Sequence, residues 1–387
     1  MSSSLSSFPL PPEITFFILR YAGDIAGALS TDVESFYDNH LRKFIRQSPQ
    51  ASEARRTRTS LLRVCKAWHA IGRELIFEHL TVSSLSDMEG MVEKLQYTST
   101  IDRGRARRLD VDTLRGNTID CSDVMSAFLR ILSLLPNLEI LNIELSFLTE
   151  DTKDESLPTL IGRYLPHLKS LRCYHQGSIF DHTARYLVNN DLQIFEGFWL
   201  GQSQFAWPPV KSNSITTIML LFANHGDLPL QGLNFPALRN FGARGLNGSH
   251  SGLLGFLDAH GPQITSMALS YDYYYGQLEN EILDRCRSLQ EFIRGPAPHR
   301  STSSSDTYTT ITRFGMTNCP SYPKPGYINT TYQLERFPNL TTIRLLDVQY
   351  GSPPEGYTNQ TVADLFTPRG SIIFEDVYGM HIPEPGA

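Results

Sequence analysis

A short apolar pattern that returns about every 25 residues is the strongest constraint on what this chain can fold into. Its clearest copy is Leu138, Leu141 and Ile143, in which two residues separate the first two apolar positions and one residue separates the last two. The first positions of successive copies are Leu138, Leu168, Leu192, Ile215, Leu238, Ile264 and Leu289. They are separated by 30, 24, 23, 23, 26 and 25 residues. One copy is too small to bury its own apolar row, so the pattern predicts that successive copies stack on one another.

Each copy is predicted to contain one short strand that runs parallel to its neighbours. Because strand side chains alternate between two faces, the second and third apolar positions point to the same side and can meet their equivalents in adjacent copies. Helical spacing predicts the return segments, at residues 85–95, 123–135, 157–165, 251–260 and 277–286. The predicted fold class is therefore α/β, with a curved solenoid of parallel strands. A doubly wound α/β domain is the alternative, but the near-continuous Val/Ile strands and Gly-rich phosphate turn of that fold are missing from the sequence.

The pattern weakens towards the end of the chain. A poor copy is assigned to Tyr308–Ile311 and a good one to Leu340–Leu345. A last strand is predicted around Phe374, which places the end of the solenoid near residue 380.

Composition narrows the class of protein. A chain of 387 residues exceeds one average core, which indicates two units or one small unit joined to an elongated one. The net charge of −6 is mild and well mixed, so we expect a soluble protein whose main partner is neither nucleic acid nor a membrane. Five widely spaced cysteines without a C-x-x-C pair favour reduced thiols, and therefore a cytoplasmic or nuclear location. No secretory signal and no run of about 18 apolar residues is found.

Two apolar helical patterns precede the repeats. The first opens at Pro11-Pro12, a pair that suits a helix start because a missing N–H costs nothing there. Its apolar face is formed by Ile14, Phe17, Ile18 and Tyr21. The second pattern covers residues 60–79, with apolar side chains at Leu61, Val64, Cys65, Trp68 and Ile71. In this second pattern Cys65 is predicted to be a buried, unreactive thiol in the middle of a helical stripe.

Together the two patterns resemble an F-box, a helical module that docks on the Skp-type adaptor of cullin-based (SCF) ubiquitin ligases. The resemblance is carried by an L-P-x-E-I opening and a V-C-x-x-W core, formed by Leu10, Pro11, Glu13, Ile14, Val64, Cys65 and Trp68. With the repeats behind them, nearly the whole chain resembles fungal-type F-box proteins with degenerate leucine-rich repeats. One departure is that residues 24–59 separate the two blocks, where an F-box usually has a short connection.

The resemblance implies three regions. Residues 1–8 are expected to be disordered, residues 9–80 to form the F-box with an insertion at about 24–59, and residues 81–380 to form the solenoid. Part of the insertion, residues 33–46, has the spacing of an amphipathic helix. The side chains that would make or support the adaptor contact are Leu10, Pro11, Ile14, Ile18, Leu62, Val64, Cys65 and Trp68. The alternative role of these side chains is to form the core of a small helical unit.

A second binding surface is predicted on the solenoid. Residues between and just after the stacked apolar positions should project from the strands onto the concave face, where a target protein would bind. Arginine and aromatic side chains are enriched at the cores of protein interfaces. The candidates of these types are Arg172, Tyr174, Phe198, Arg244, Tyr271, Tyr273, Arg294 and Arg344. For the run Tyr271–Tyr275, packing between neighbouring copies is an equally good explanation.

The sequence contains no recognisable catalytic constellation. The nucleotide-binding, nucleophile-elbow and zinc-protease motifs are missing, and so is the Cys/His array of a RING-type ligase. We therefore expect no catalytic residues, no metal and no cofactor. The expected function is that of a non-catalytic substrate-recognition subunit, which binds the Skp-type adaptor, through it a cullin, and a protein target of unknown identity. The alternative is a repeat scaffold without a role in ubiquitin ligation.

Overall fold

The computed structural model describes residues 11–23, 56–57, 59–61, 63–111, 121–145, 157–175, 191–199, 209–222, 230, 232–244, 251–270, 276–294, 306–316, 334–346 and 372–375. Five predictions concern positions outside this part of the chain. They are the disorder of residues 1–8, the helix at 33–46, the adaptor contacts Leu10 and Leu62, and the run Tyr271–Tyr275.

Helices and strands alternate along most of the described chain. The helices are α1 Pro12–Gly23, α2 Lys66–Glu78, α3 Leu85–Tyr97, α4 Thr100–Arg103, α5 Cys121–Leu134, α6 Leu157–Tyr164, α7 Ser251–His260 and α8 Gly276–Arg285. The strands are β1 His79–Val82, β2 Arg108–Val111, β3 Ile140–Leu145, β4 Ser170–His175, β5 Ile194–Trp199, β6 Val210–Lys211, β7 Thr217–Phe222, β8 Leu233–Asn234, β9 Asn240–Arg244, β10 Ser266–Ser270, β11 Glu291–Arg294, β12 Arg313–Met316, β13 Thr342–Leu345 and β14 Ile373–Glu375. All five predicted return helices are confirmed, each with both ends within two residues of the prediction.

Twelve of the described strands form one sheet in chain order, from β1 to β14 without β6 and β8, which pair with each other. Every described strand pair is parallel, which confirms the predicted α/β class with parallel strands. One register row crosses the whole sheet: Leu80, Leu109, Leu141, Leu171, Phe195, Ile218, Phe241, Met267, Phe292, Phe314, Ile343 and Phe374. The second apolar position that the sequence predicts lies in this row in every copy except the one assigned to Tyr308 and Ile311.

The start of nine of the described strands is held by the same backbone arrangement. The N–H groups of Glu139 and Ile140 both donate to the carbonyl oxygen of Arg107, at 2.9 and 2.8 Å. The same two-donor pattern recurs at the carbonyls of Glu139, Lys169, Gln193, Thr216, Arg239, Thr265, Gln290 and Thr312. The backbone groups of consecutive copies therefore pair at equivalent positions, so the same register repeats from one copy to the next.

The Leu-Pro-Asn-Leu sequence that precedes the clearest copy forms a turn. The N–H of Leu138 donates to the carbonyl of Leu135 at 3.3 Å, with Pro136 at the position where its restricted φ favours a turn. The side chain of Asn137 donates to the carbonyl of Gly104 at 2.9 Å. Asn339 makes the equivalent bond to Thr309 at 2.8 Å. The asparagine therefore joins its turn to the preceding copy.

The main core lies between the sheet and the helices. Leu141 of the central row is fully buried in one cluster with Phe128 of α5, Leu257 of α7 and Ile282 of α8. On the opposite face of the sheet, a small separate cluster contains Met219, Ala268, Ile293 and Leu346. A Cβ at Gly315 would lie 2.7 Å from Ile293 and 2.8 Å from Leu346, so a larger residue there would require these side chains to shift.

The assignment of one weak copy, to Tyr308 and Ile311, is wrong. Phe314 pairs with both Phe292 and Ile343, so the three positions of this copy are Ile311, Phe314 and Met316. Tyr308 therefore lies before the repeat unit, where its ring packs against Phe337 with centroids 6.4 Å apart. The sequence pattern placed this copy too early because Tyr308 and Ile311 have the same separation as the first two positions of a true copy.

Candidate docking surface

The first helix is oriented by two buried residues. Its opening turn is closed by a hydrogen bond of 3.0 Å from the N–H of Thr15 to the carbonyl of Pro11, as expected for a helix that begins at Pro12. Helix α1 contacts α2, although 42 residues separate them in the sequence. Thr15 and Leu19, one turn apart, are 3% and 2% exposed, and Leu75 of α2 is 1% exposed. The interior of this two-helix unit thus includes Thr15, Leu19 and Leu75.

Three of the four residues of the predicted apolar face of α1 point to solvent, and the side chain of the fourth, Tyr21, lies outside the described residues. Ile14 is 46% exposed, Phe17 65% and Ile18 40%. At spacings of three and four residues these side chains are neighbours on one side of the helix. Val64, at the turn that leads into α2, is 62% exposed. We call these four exposed side chains, Ile14, Phe17 and Ile18 on α1 and Val64 before α2, the docking surface, because large apolar side chains left together in solvent on one helix face mark protein-binding sites.

The start of α2 differs from the prediction. Cys65 is exposed and extended, with φ −160° and ψ 166°, and the helix begins after it at Lys66. Its Sγ accepts the N–H of Trp68 at 3.4 Å and its carbonyl accepts the N–H of His69 at 2.9 Å. Cys65 is therefore the N-cap residue, and the prediction of a buried thiol within a helix is wrong. A turn bond from the N–H of Val64 to the carbonyl of Leu61, at 3.2 Å, explains the helix-like spacing before it.

Two further predicted adaptor residues belong to the same two-helix unit. Pro11 is exposed just before α1, and Trp68 is half-buried in the first turn of α2. Among the six predicted adaptor residues that the structure describes, Ile14 and Ile18 lie on α1, Trp68 lies on α2, and Pro11, Val64 and Cys65 directly precede these helices. Of the six, Trp68 alone is partly withdrawn from solvent.

Helix α2 runs into the sheet without a loop. It ends at Glu78 and β1 begins at His79, two residues before the predicted boundary of the solenoid. The carbonyl of Glu78 accepts the N–H of Arg107 at 3.1 Å. His79 Nε2 lies 2.8 Å from Asp110 Oδ2, and Arg108 Nε lies 2.9 Å from Asp110 Oδ1. The bond from Arg107 to Glu78 and the contact of His79 with Asp110, which we call the junction, join the end of α2 to β2, whereas the Arg108 bond lies within β2.

The prediction that Arg172, Arg294 and Arg344 are exposed on a target-binding face is wrong. They are 3%, 1% and 5% exposed. Arg172 Nε lies 3.1 Å from Glu196, and an Arg344 nitrogen lies 2.7 Å from Glu375. Both pairs join residues that face each other on adjacent strands. These side chains link consecutive copies instead of meeting a partner.

Arg294 occupies the third apolar position of its copy and therefore faces the core side of the sheet. There it pairs with Glu279 of α8, and its guanidinium lies 5.8 Å from the ring centre of Phe314. Glu279 also accepts a 2.8 Å bond from Arg336, which lies 5.1 Å from the ring centre of Tyr308. We call Glu279, Arg294 and Arg336 the buried triad. Burial is the main cause that raises the pKa of Tyr308 beside it to about 12.

The other predicted target residues are not placed by the structure. The side chains of Tyr174, Phe198 and Arg244, and the whole of Tyr271 and Tyr273, lie outside the described residues. The buried triad was missed by sequence reasoning altogether. The pairing of Arg172 with Glu196 did leave a signal, since opposite charges occupy the same repeat position in consecutive copies.

Three further charged or reactive side chains, Glu139, Cys173 and Cys286, have shifted pKa values. Burial alone would raise the pKa of Glu139, but hydrogen bonds from Arg107 and Lys169 outweigh it and lower the pKa. Burial raises the pKa of Cys173 and of Cys286 to about 12 each, so both thiols stay protonated near neutral pH. Within the described residues, no group of three or more His, Cys, Asp or Glu side chains is arranged to hold a metal ion. None of the described helices is long and apolar enough to cross a membrane.

Comparisons with known proteins add little to this description. No family model matches the sequence, and no curated protein matches it. Among solved structures, one match is the crystal structure of a protein from Bacteroides fragilis, which is 9% identical over 76% of this chain and 83% of that chain, with a TM-score of 0.36. A likeness at this TM-score assigns neither fold nor function.

Proposed function

We propose that this chain is the substrate-recognition subunit of a cullin-based ubiquitin ligase, with an F-box that binds the Skp-type adaptor. The observation that carries the proposal is the two-helix unit. Sequence blocks that resemble the two halves of an F-box contact each other, bury Thr15, Leu19 and Leu75, and leave an apolar docking surface in solvent.

The exposure of the docking surface distinguishes a binding role from a core role. Burial of apolar surface stabilises a protein by roughly 25 cal/mol for each Å² removed from solvent, and an exposed side chain does not contribute this free energy. Ile14, Phe17 and Val64 each keep 46% or more of their surface exposed. A partner that covers them recovers this free energy, and half-buried Trp68 beside them is the type of anchor that often dominates such interfaces.

The remainder of the chain is proposed to be a leucine-rich-repeat solenoid that holds the target. In stacked repeats, strands are added to the sheet in chain order and the same contacts recur in each copy. The described sheet has this strand order, a repeated pair of N–H groups that donate to one carbonyl, and one apolar row through all its strands. Since Arg172, Arg294 and Arg344 are buried, we assign the target contact to the other candidates that the sequence predicts. These are Tyr174, Phe198, Arg244, Tyr271 and Tyr273.

The mechanism is proximity. The adaptor and cullin hold one end of the chain, the solenoid holds the target, and the local concentration of target lysines near the charged ubiquitin carrier rises. The continuous path from α2 into β1 supports this role, because a rigid connection limits the positions that a bound target can take.

Co-purification with a Skp-type adaptor tests the proposal, with Ile14→Asp as the variant and Ile373→Asp as its control. Ile14 and Ile373 are the same residue type with the same 46% exposure, but Ile373 lies on the last strand. We expect wild type and Ile373→Asp to capture the adaptor, and Ile14→Asp or Pro11→Ala/Trp68→Ala to lose at least about tenfold in affinity, as expected when an interface hot spot is removed. If wild type captures no adaptor, the chain is not a receptor of this kind and the scaffold without a ligase role is favoured.

A further inference from the structure

We propose that the docking surface is built for an acidic protein partner and that basic residues beside it steer the association. The inference rests on the proposed function, because it takes the Skp-type adaptor as the partner. It adds the charge of the surface that the adaptor must present and the step of binding that this charge controls.

The charge distribution of the sequence is uneven at this point. Residues 42–66 contain eight basic residues and one acidic residue, in a chain whose total net charge is −6. Among the described positions of this stretch, Arg56, Arg63 and Lys66 are all exposed. Arg63 and Lys66 flank Val64 and Cys65, so positive charge adjoins the apolar docking surface directly.

This combination favours a protein partner over a nucleic acid. Contacts to phosphates need basic and polar side chains, but not a group of large exposed apolar residues such as Ile14, Phe17 and Val64. An apolar centre beside a charged rim is typical of protein interfaces, in which complementary charges raise the association rate more than the affinity of the final complex. The partner that fits is therefore an acidic protein with an apolar groove.

The test measures association and dissociation rates of the full chain with purified Skp-type adaptor at about 50 and about 500 mM NaCl, conditions that differ strongly in charge screening. The variant is Arg63→Glu/Lys66→Glu. The control is Arg130→Glu/Arg239→Glu, which makes the same change of charge at exposed positions outside the two-helix unit. We expect high salt to slow association of wild type about tenfold, and the variant to associate about tenfold more slowly than wild type at low salt. Dissociation rates should change by less than about twofold in the variant, and the control should behave as wild type.

The alternative outcomes separate this inference from the proposed function. If the adaptor binds but its association rate is independent of salt and of the Arg63→Glu/Lys66→Glu change, the inference is wrong and the proposed function stands. If no adaptor binds at either salt concentration, both are wrong. A DNA duplex or vesicles of anionic lipid that bind wild type but not the variant, while adaptor association is unchanged, would assign the basic stretch to those polyanions and overturn the inference.

Discussion

At the scale of single residues, the three cysteines whose side chains the structure describes differ in the properties that control thiol reactivity. Cys65 is exposed at a helix start, whereas Cys173 and Cys286 are buried and have pKa values raised to about 12. A thiol reacts through its thiolate and must also be reached by the reagent. Cys65 is therefore a native probe for the docking surface, since it adjoins Val64 and caps the helix that carries Trp68.

We predict that a maleimide at neutral pH modifies Cys65 in the native protein within minutes and leaves Cys173 and Cys286 unmodified. Peptide mass spectrometry of the quenched reaction checks this, with a sample in about 8 M urea as the control in which all three react. Adaptor in excess should slow the modification of Cys65 at least about tenfold, because a covered thiol is inaccessible. Equal rates with and without bound adaptor would show that Cys65 lies outside the interface.

The environment of a single residue could be predicted from the sequence only where neighbouring residues determine it. Ile14 and Ile18 are predicted to contact the adaptor, and both are exposed, as such a contact requires. The capping role of Cys65 was hidden, because the three-residue spacing from Leu61 to Val64 is shared by a turn and a helix. The burial of Arg344 was hidden for another reason: its partner Glu375 lies 31 residues later, and only the strand register brings them together.

At the scale of elements, helix α8 is anchored by charge as well as by apolar packing. Its Glu279 is 5% exposed and accepts hydrogen bonds from Arg294 of β11 and Arg336. Arg336 lies 57 residues after Glu279 and also donates to Asn280 of the same helix. The buried triad thus connects α8 to strand β11 and to a later segment at Arg336. An ion network in the interior is costly to break, because each remaining charge is left without its solvent and its partner.

Replacing Glu279 by glutamine should therefore lower the free energy of unfolding by roughly 3 kcal/mol or more. Glu281→Gln on the same helix, where the carboxylate is 52% exposed, should change it by less than about 0.5 kcal/mol. Urea unfolding followed by circular dichroism measures both variants. Replacing the whole triad, as Glu279→Leu/Arg294→Met/Arg336→Met, should restore part of the loss. Equal stability of Glu279→Gln and Glu281→Gln would contradict the anchoring role.

Element positions were largely predictable, because periodicity records both the helical and the strand segments. Helix α7 has the bounds that its spacing predicts, and strands β3 and β4 lie where the clearest copies are. The assignment failed at one copy. At β11 the first two positions are predicted correctly although Arg294 fills the third, whereas before β12 Tyr308 mimics the first position, so spacing alone placed that copy three residues too early.

At the scale of the whole molecule, the relation between the two-helix unit and the sheet is set at the junction. Helix α2 becomes strand β1 with no intervening residue, and α2 also contacts α4. The backbone bond from Arg107 to Glu78 and the contact between His79 and Asp110 tie its end to β2. The order of units along the chain was predictable from the motifs, but this continuity was not, because the predicted boundary at residue 80 treats the solenoid as a separate domain.

A flexible insertion at the junction should therefore separate docking from positioning. We predict that Gly-Ser-Gly-Ser placed between Glu78 and His79 leaves adaptor affinity within about twofold, because an exposed contact on α1 and α2 does not need the sheet. The same insertion should let the two units move, as expected for a Gly/Ser linker. Electron spin resonance between labels at Cys65 and Arg239→Cys measures this, with Cys121 and Cys319 replaced by serine.

Wild type should give one narrow distance distribution and the insertion a broad one, while the same four residues inserted between β7 and β8 should leave it narrow. A distribution that stays narrow after the insertion would mean that contacts such as α2 with α4, and not the continuous chain, hold the two units together.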